Sequence, residues 1–348
     1  MTQNILSIKS NYLMAGRAAA ALYLIAKAEK LYDKRVLFPC NVCYAAIFPF
    51  IYAGCIPEFC DVDLKSGNLT LDIIKSKKDY SAILVPHMYG NPVKEICAIK
   101  EYCSNNGILL IEDCASAMGA EVLGVPCGAF GDYSIFSTGY SKTIDAGGGG
   151  ILISDKDLSE IQQFESILPK KTEQSEIDDS FFSKLYRLIR NNPDQGLSKF
   201  IWAGLYDNLK HIFVYKCPKE LKIEIENSLN NLDDIIKKRH EENALYIDNL
   251  RGICGLDIYL YSDKSVPWRF CCFVDPIKKS KIIERLLKSS LPVSDWYPIV
   301  TGIFGKADYS LYPNALEFEK RILNFPLLVG HEMIKKICNE IIEALKGE

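Results

Sequence analysis

The stretch Ile108-Leu109-Leu110-Ile111-Glu112-Asp113 decides the fold. An unbroken apolar run that stops at two acids reads as a strand covered on both faces, and strands of that kind belong to parallel sheets. Working outward, similar runs recur at Val36-Leu37-Phe38, Glu58-Phe59, Ala82-Ile83-Leu84-Val85, Tyr133-Ser134-Ile135-Phe136 and Ile151-Leu152-Ile153. The segments between them can be helices, so the rhythm is strand, helix, strand. The expected fold class is α/β, a three-layer α/β/α arrangement around a mostly parallel sheet. A helix rich in alanine and leucine, Arg17 to Leu31, precedes the first of these strands and follows Gly16, where backbone can turn sharply or approach a ligand.

From Asp155 to about Lys210 the sequence turns polar and helix-favouring, broken by Pro169 and by Asn191-Asn192-Pro193-Asp194, and reads as a helical insertion. Beyond it, Leu221 to Tyr246 carries Leu229, Leu232, Ile235 and Ile236 at helical spacing and predicts one long helix. A smaller α/β region follows, with a strand near Trp268 to Val274. The expected division is a large domain over 1–210, including the insertion at about 156–210, and a small C-terminal domain over 211–348. Two domains agree with 348 residues at roughly 150 per domain.

Composition excludes several classes of function. Lys plus Arg at 41 against Asp plus Glu at 44 gives a net charge of −3, with no basic surplus for nucleic-acid phosphates or anionic lipid. The longest apolar stretch, near Ala45 to Pro57, contains Pro49 and falls short of the roughly 20 residues that span a bilayer. Met1 to Ser10 has one lysine and no apolar core of a secretory signal, so a cytoplasmic location is expected. Thirteen scattered cysteines then read as reduced thiols. Cys40-Asn41-Val42-Cys43 has the spacing of a metal or redox pair but no matching partner, and His87, His211, His240 and His331 are dispersed, so no metal is expected. Neither a P-loop nor a Gly-x-Gly-x-x-Gly turn occurs, and Gly147 to Gly150 lead into a strand, which reads as a tight turn with close packing.

What remains is a constellation ordered along the α/β domain. Gly16-Arg17-Ala18 opens a helix, Asp113 closes an apolar strand, Ser137 ends another, and Lys142 follows in Phe136-Ser137-Thr138-Gly139-Tyr140-Ser141-Lys142. Ends of parallel strands are where α/β sheets bind ligands. A lysine amine there, a separate carboxylate, and a serine beside a helix N-terminus are what pyridoxal phosphate (PLP) needs. The amine forms a Schiff base, the carboxylate keeps the pyridine nitrogen protonated, and the helix end takes the phosphate.

These residues, with Tyr52-Ala53-Gly54-Cys55-Ile56-Pro57-Glu58-Phe59-Cys60-Asp61-Val62-Asp63, Pro86-His87-Met88-Tyr89-Gly90 and Ile111-Glu112-Asp113-Cys114-Ala115-Ser116, resemble the DegT/DnrJ/StrS family of PLP-dependent sugar aminotransferases, of fold type I. The resemblance covers most of the chain. It implies Lys142 and Asp113 as catalytic residues, and Arg17, Ala18, Cys43, Asp113, Ser116, Ser137 and Lys142 as cofactor-binding. It further implies amino transfer from L-glutamate to a keto group of a nucleotide-linked sugar, for a surface polysaccharide or glycoside, by a homodimer. Family members that dehydrate sugars have histidine where Lys142 stands, so lysine favours transamination.

The chain departs from the family at three points. Cys43, with Tyr44 beside it, stands where an aromatic residue stacks on the cofactor, so either another group stacks or the alignment shifts by one. Ser116 replaces a longer glutamine or histidine, and Val214-Tyr215-Lys216 replaces Asn-Tyr-Arg, with Lys216 as a substitute charge. His87, Tyr89, Trp268 and Arg269 are candidate substrate contacts, and Trp296 and Tyr297 further pocket residues, each weighed against simple packing. Two other readings stay open: a non-catalytic binding or regulatory relative of the same fold, and a PLP enzyme of different reaction type.

Overall fold

The computed structural model of the protein describes residues 4–191 and 208–346. Its strands are β1 (Asn11–Ala15), β2 (Arg35–Pro39), β3 (Ile56–Cys60), β4 (Ala82–Pro86), β5 (Leu109–Asp113), the short β6 (Glu121–Val122) and β7 (Val125–Pro126), β8 (Tyr133–Ser137), β9 (Gly150–Ser154), β10 (Leu256–Ile258), β11 (Phe270–Val274) and β12 (Ile322–Phe325). A seven-stranded sheet runs in the order β1-β9-β8-β5-β4-β2-β3. The strands β3, β2, β4, β5 and β8 are parallel, and β9 is antiparallel to both β8 and β1. All the apolar runs are strands of this sheet, as expected, and β4 and β9 are buried along their whole length. The edge strand β1 was not expected, because its first two residues are partly exposed and carry no apolar run.

The pairing Pro86↔Asp113 brings the C-terminal ends of β4 and β5 level, and with Asp113 opposite Ile135, β8 runs two residues further to Ser137. The buried Glu112 carboxylate fixes that alignment. It accepts N–H bonds from Gly128 (2.7 Å), Phe130 (2.9 Å) and Gly131 (2.9 Å), the Ser134 hydroxyl (3.2 Å) and the His87 ring (2.9 Å). Val93 N–H donates to His87 Nδ1 at 2.9 Å, which leaves the ring proton on Nε2, aimed at Glu112. Burial alone would raise the Glu112 pKa, but His87 and the backbone N–H donors outweigh it and hold the carboxyl below its ordinary value.

The Ala18–Ala28 helix lays Ala20, Ala21, Leu24 and Ile25 on the sheet. Gly150 permits its close approach, since a Cβ there would lie 2.4 Å from the Ala18 nitrogen; of the glycine run, Gly149 and Gly150 pack tightly as expected, whereas a Cβ at Gly147 would meet open space. The long helix expected over 221–246 is two helices, Lys219–Leu229 and Leu232–Leu250, parted at Asn230-Asn231. Asparagine competes for backbone hydrogen bonds and favours such breaks. The first helix and Leu232 join the large core, and Tyr246 and Leu250 join a second core. There the antiparallel sheet β10-β11-β12 packs with the Pro276–Lys288 and His331–Lys346 helices.

The insertion contributes the helices Ser159–Ser166, Glu173–Asn191 and Lys210–Phe213. The expected turn at Asn192-Pro193-Asp194 lies outside the described residues. Among those residues no helix is long and apolar enough to cross a membrane.

Two stability changes are expected. Gly150→Ala forces a side chain against backbone and should cost about 1–3 kcal/mol in urea unfolding. Glu112→Gln should cost about 3 kcal/mol near neutral pH. Because the Glu112 pKa is lower folded than unfolded, its contribution is present above the unfolded value of about 4.3 and is lost as pH falls through the folded one. The gap between wild type and variant should therefore narrow as pH falls below about 4.3, in the same assay.

Candidate active site

Lys142 sits in the turn after β8, its backbone N–H on the Gly139 carbonyl at 3.1 Å. Its Nζ donates to Ser116 Oγ at 3.3 Å and lies 5.6 Å from the centre of the Trp268 ring. Asp113, the last residue of β5, is buried, and its Oδ1 accepts the Ala115 N–H at 2.9 Å. No described donor reaches Oδ2. Burial pushes the Asp113 carboxyl above its ordinary value against the pull of Ala115, Lys142 and His87. Cys43 faces the same group, its thiol raised by burial and drawn down by the Lys142 charge. Lys142, Asp113, Ser116, Cys43 and Trp268 are thus brought together, with Tyr297 stacked on Trp268 at 5.5 Å.

Ser137 ends β8 half-buried, its Oγ accepting Gly139 N–H at 3.5 Å, and Ala18 opens its helix. Arg17, before it, makes no side-chain cap, so the first-turn N–H groups of this 11-residue helix have no capping side chain, although that of Ala20 donates to the Arg17 carbonyl at 3.0 Å. The Arg17 side chain itself goes elsewhere. Its guanidinium donates to the Ile212 carbonyl at 2.8 Å and Asp179 at 3.2 Å and lies 5.3 Å from the Phe213 ring. Its expected part in a phosphate pocket is therefore corrected to that of its backbone alone.

Two of the four expected substrate contacts are corrected. His87 is fully buried with both ring nitrogens engaged, by Glu112 and Val93, so it serves the interior. Tyr89 is fully buried among Tyr259, Trp268, Tyr297 and Phe318, and its hydroxyl accepts the Tyr297 N–H at 3.0 Å. It holds φ 60°, which is unusual for a bulky residue. The next residue, Gly90, lets the large core touch the β11 approach, for a Cβ there would lie 1.9 Å from the Val266 carbonyl.

Trp268 and Arg269 do border Lys142. Trp268 Nε1 donates to the Ser141 carbonyl at 2.6 Å. The Arg269 guanidinium stacks 4.3 Å over Trp268 and donates to Ser141 Oγ at 3.2 Å and Asn324 Oδ1 at 3.1 Å. No described carboxylate pairs with it. Of the neighbours Cys43 and Tyr44, Cys43 lies within electrostatic reach of Lys142, and Tyr44 turns into a cluster with Tyr186 (4.4 Å), Phe182 (5.4 Å) and Trp296 (6.1 Å). Lys216 donates to the Ser166 carbonyl at 3.1 Å within its own chain.

Arg239 escaped the sequence reading. From the Leu232–Leu250 helix, buried to 3% exposure, it donates to the Lys142 carbonyl at 2.7 Å and the Trp268 carbonyl at 2.8 Å. Burial brings its guanidinium down to about 10. In Lys237-Lys238-Arg239-His240-Glu241-Glu242 nothing distinguishes this charge from its solvated neighbours.

Comparison with known proteins places the chain in a family. Residues 11–176 match the profile of the DegT/DnrJ/EryC1/StrS aminotransferase family. GDP-perosamine synthase of Escherichia coli O157:H7 is 34% identical over 338 residues, 94% of this chain and 83% of that protein. The match to GDP-perosamine synthase of Vibrio cholerae, 34% identical over 125 residues, spans 35% of this chain and only 34% of that protein. Among solved structures, the Helicobacter pylori aminotransferase PseC superposes with a TM-score of 0.76 at 16% identity, over 99% of this chain and 90% of that one, a likeness of fold. With its sheet, its strand-end lysine and a relative matched over nearly its whole length, the chain belongs to the DegT/DnrJ/EryC1/StrS aminotransferase family.

Proposed function

We propose that the protein is a PLP-dependent aminotransferase that moves an amino group from L-glutamate to a keto group of a nucleotide-linked sugar, in the making of a surface polysaccharide or glycoside. The observation that carries this is the Lys142 amine, held at Ser116 and over Trp268 beside the buried Asp113. These residues fit the cofactor. Asp113 keeps one oxygen without a donor, as a partner for a protonated ring nitrogen would, and the Ala18–Ala28 helix offers N–H groups and its dipole to a phosphate beside Ser137. PLP, when bound, supplies an aldehyde for the lysine and a ring that accepts electrons.

The chain's own residues do the rest. Lys142, as a primary amine, binds the cofactor and carries a proton. Trp268 and Tyr297 wall the amine from water. Arg269, a cation with no described carboxylate partner, suits an anionic group of either substrate. A nucleotide-linked sugar as acceptor follows from the names of the related perosamine synthases. Lysine at position 142, where dehydrating relatives have histidine, favours amino transfer over dehydration.

Further parts of the proposal are a cytoplasmic homodimer and a division into a large domain over 1–210 and a small one over 211–348. Tyr140, two residues before Lys142, is 89% exposed on the rim, an apolar surface that a second copy would cover.

The protein incubated with PLP should show a visible absorption band that L-glutamate bleaches, and Lys142→Ala should lack both the bleaching and turnover. A band that glutamate leaves unchanged points to another donor or reaction, and no band at all points to a binding relative. Asp113→Asn should lose most of the rate yet raise the melting temperature of the cofactor-free protein at pH 7. A carboxyl whose pKa is higher folded than unfolded disfavours folding once ionised, and asparagine removes that cost.

A further inference from the structure

We propose that Arg239 is a positioning residue for Lys142: its guanidinium clasps the lysine's turn to the segment before β11 and so holds Ser141 in the left-handed backbone that presents the amine to the cleft. The inference rests on the amino-transfer reading of Lys142. Arg239 Nη2 donates to the Lys142 carbonyl at 2.7 Å and to that of Thr143 at 3.5 Å. Its Nη1 donates to the Trp268 carbonyl at 2.8 Å and to that of Pro267 at 3.4 Å. A planar fork bonded to both segments at once sets their separation and their angle together, which a single ammonium does not.

What the clasp holds is a strained turn. Ser141 has φ 63°, a region that a residue with a Cβ enters at a cost and keeps only where its surroundings impose it. All three of its polar groups are engaged. Its N–H donates to Asp145 Oδ2 at 3.1 Å, its carbonyl accepts the Trp268 indole N–H at 2.6 Å, and its hydroxyl accepts from Arg269 at 3.2 Å. Trp268 and Arg269 belong to the segment that Arg239 pins. Without the arginine that segment loses its hold on the turn, Ser141 is free to leave the left-handed region, and Lys142, the next residue, loses its aim at Ser116.

Stability alone gives no reason for this choice of residue. Arg239 is 3% exposed, and among the described residues no carboxylate pairs with it. Glu242, one turn further along the helix, instead accepts the N–H groups of Val329 and Gly330 at 3.1 and 3.0 Å. A buried cation bonded to carbonyls alone is costly, and an apolar side chain of similar volume would join the two segments at least as well. The helix that carries it is a firm mount. Tyr246, two turns on, donates to the Pro326 carbonyl at 3.2 Å and stacks on Phe270 at 4.7 Å.

The test uses the full-length chain. Without added PLP, hydrogen exchange read by mass spectrometry should show the amides of 138–147 exchanging about tenfold faster in Arg239→Met than in the wild type, with the β5 amides unchanged. Arg239→Lys, which brings one head group to two carbonyls, should fall between them, and it carries the same test if the methionine variant does not fold. With PLP and L-glutamate, Arg239→Met should lower kcat about tenfold or more while KM for glutamate stays within about twofold, since no group facing a substrate is removed. Adding Ser141→Gly to Arg239→Met should raise kcat again by about threefold or more, because glycine takes left-handed backbone unaided. An arginine that served stability alone would give no such rescue. Turn exchange equal to wild type, exchange quickened alike in the turn and in β5, an unchanged kcat, or no recovery with Ser141→Gly each overturns the proposal. The exchange result needs neither donor nor acceptor, so failure of the clasp and failure of the amino-transfer reading are told apart.

Discussion

The rest of the structure depends on the buried carboxylate of Glu112. An ionised group with no exposed side-chain surface is costly unless its lone pairs are filled, and here three separate segments fill them: His87 after β4, the loop Gly128–Gly131, and Ser134 within β8, all around β5. The acid therefore acts as a tie between neighbouring strands just where the sheet presents its chemistry. Asp113 is the next residue along β5, and with alternation it faces the opposite side from Glu112. One residue anchors the strand end and its neighbour offers a carboxylate to the cleft. The raised Asp113 and the lowered Glu112, adjacent in sequence and both buried, show how far donors outweigh burial alone.

A second set of ties brings the small unit to Lys142. Arg239 bridges the Lys142 and Trp268 carbonyls, the Trp268 indole takes the Ser141 carbonyl, and Arg269 takes the Ser141 hydroxyl. These bonds join the turn after β8 to the start of β11. A lysine in an unrestrained turn would sample many rotamers, so fixing its backbone from both sides lowers the entropy it must lose to react. Motion between the two cores would be felt first at this lysine.

How much of this was legible in the sequence follows from where each signal resides. The sheet was legible because buried parallel strands are unbroken apolar runs, and the placing of Asp113, Ser137 and Lys142 at strand ends followed from those runs, whereas Ser116 came from the resemblance alone. The edge strand β1 has an apolar run, Leu13-Met14-Ala15, but no β-branched residue in it, and the break at Asn230-Asn231 falls in a pattern whose apolar spacing continues on either side. His87 and Tyr89 were misplaced for a different reason. A polar or aromatic residue after a strand looks the same whether it faces a cleft or the interior, and the partners that settle it are distant in sequence, Glu112 for His87 and Tyr297 for Tyr89. Arg239 is the extreme case, a buried clamp inside a run of ordinary helix charges.

The insertion gives the placing of two side chains, Arg17 and Tyr44, a single physical cause. The Glu173–Asn191 helix carries Asp179, which takes the Arg17 side chain, and Phe182 and Tyr186, which take the Tyr44 ring. Once that apolar helix face is present, burying Tyr44 among Phe48, Phe182, Tyr186, Phe213 and Trp296 gains more than leaving it in a cleft, since a large aromatic side chain contributes about 1.5–3 kcal/mol on burial. Cys43 is left facing Lys142 as a small, weakly polar wall. The same helix reaches Trp296, beside Tyr297, from the other side of the cleft. A segment that looks peripheral in the chain thus forms one wall of the site, and the lost aromatic at position 43 is the counterpart of an aromatic cluster built one residue further on.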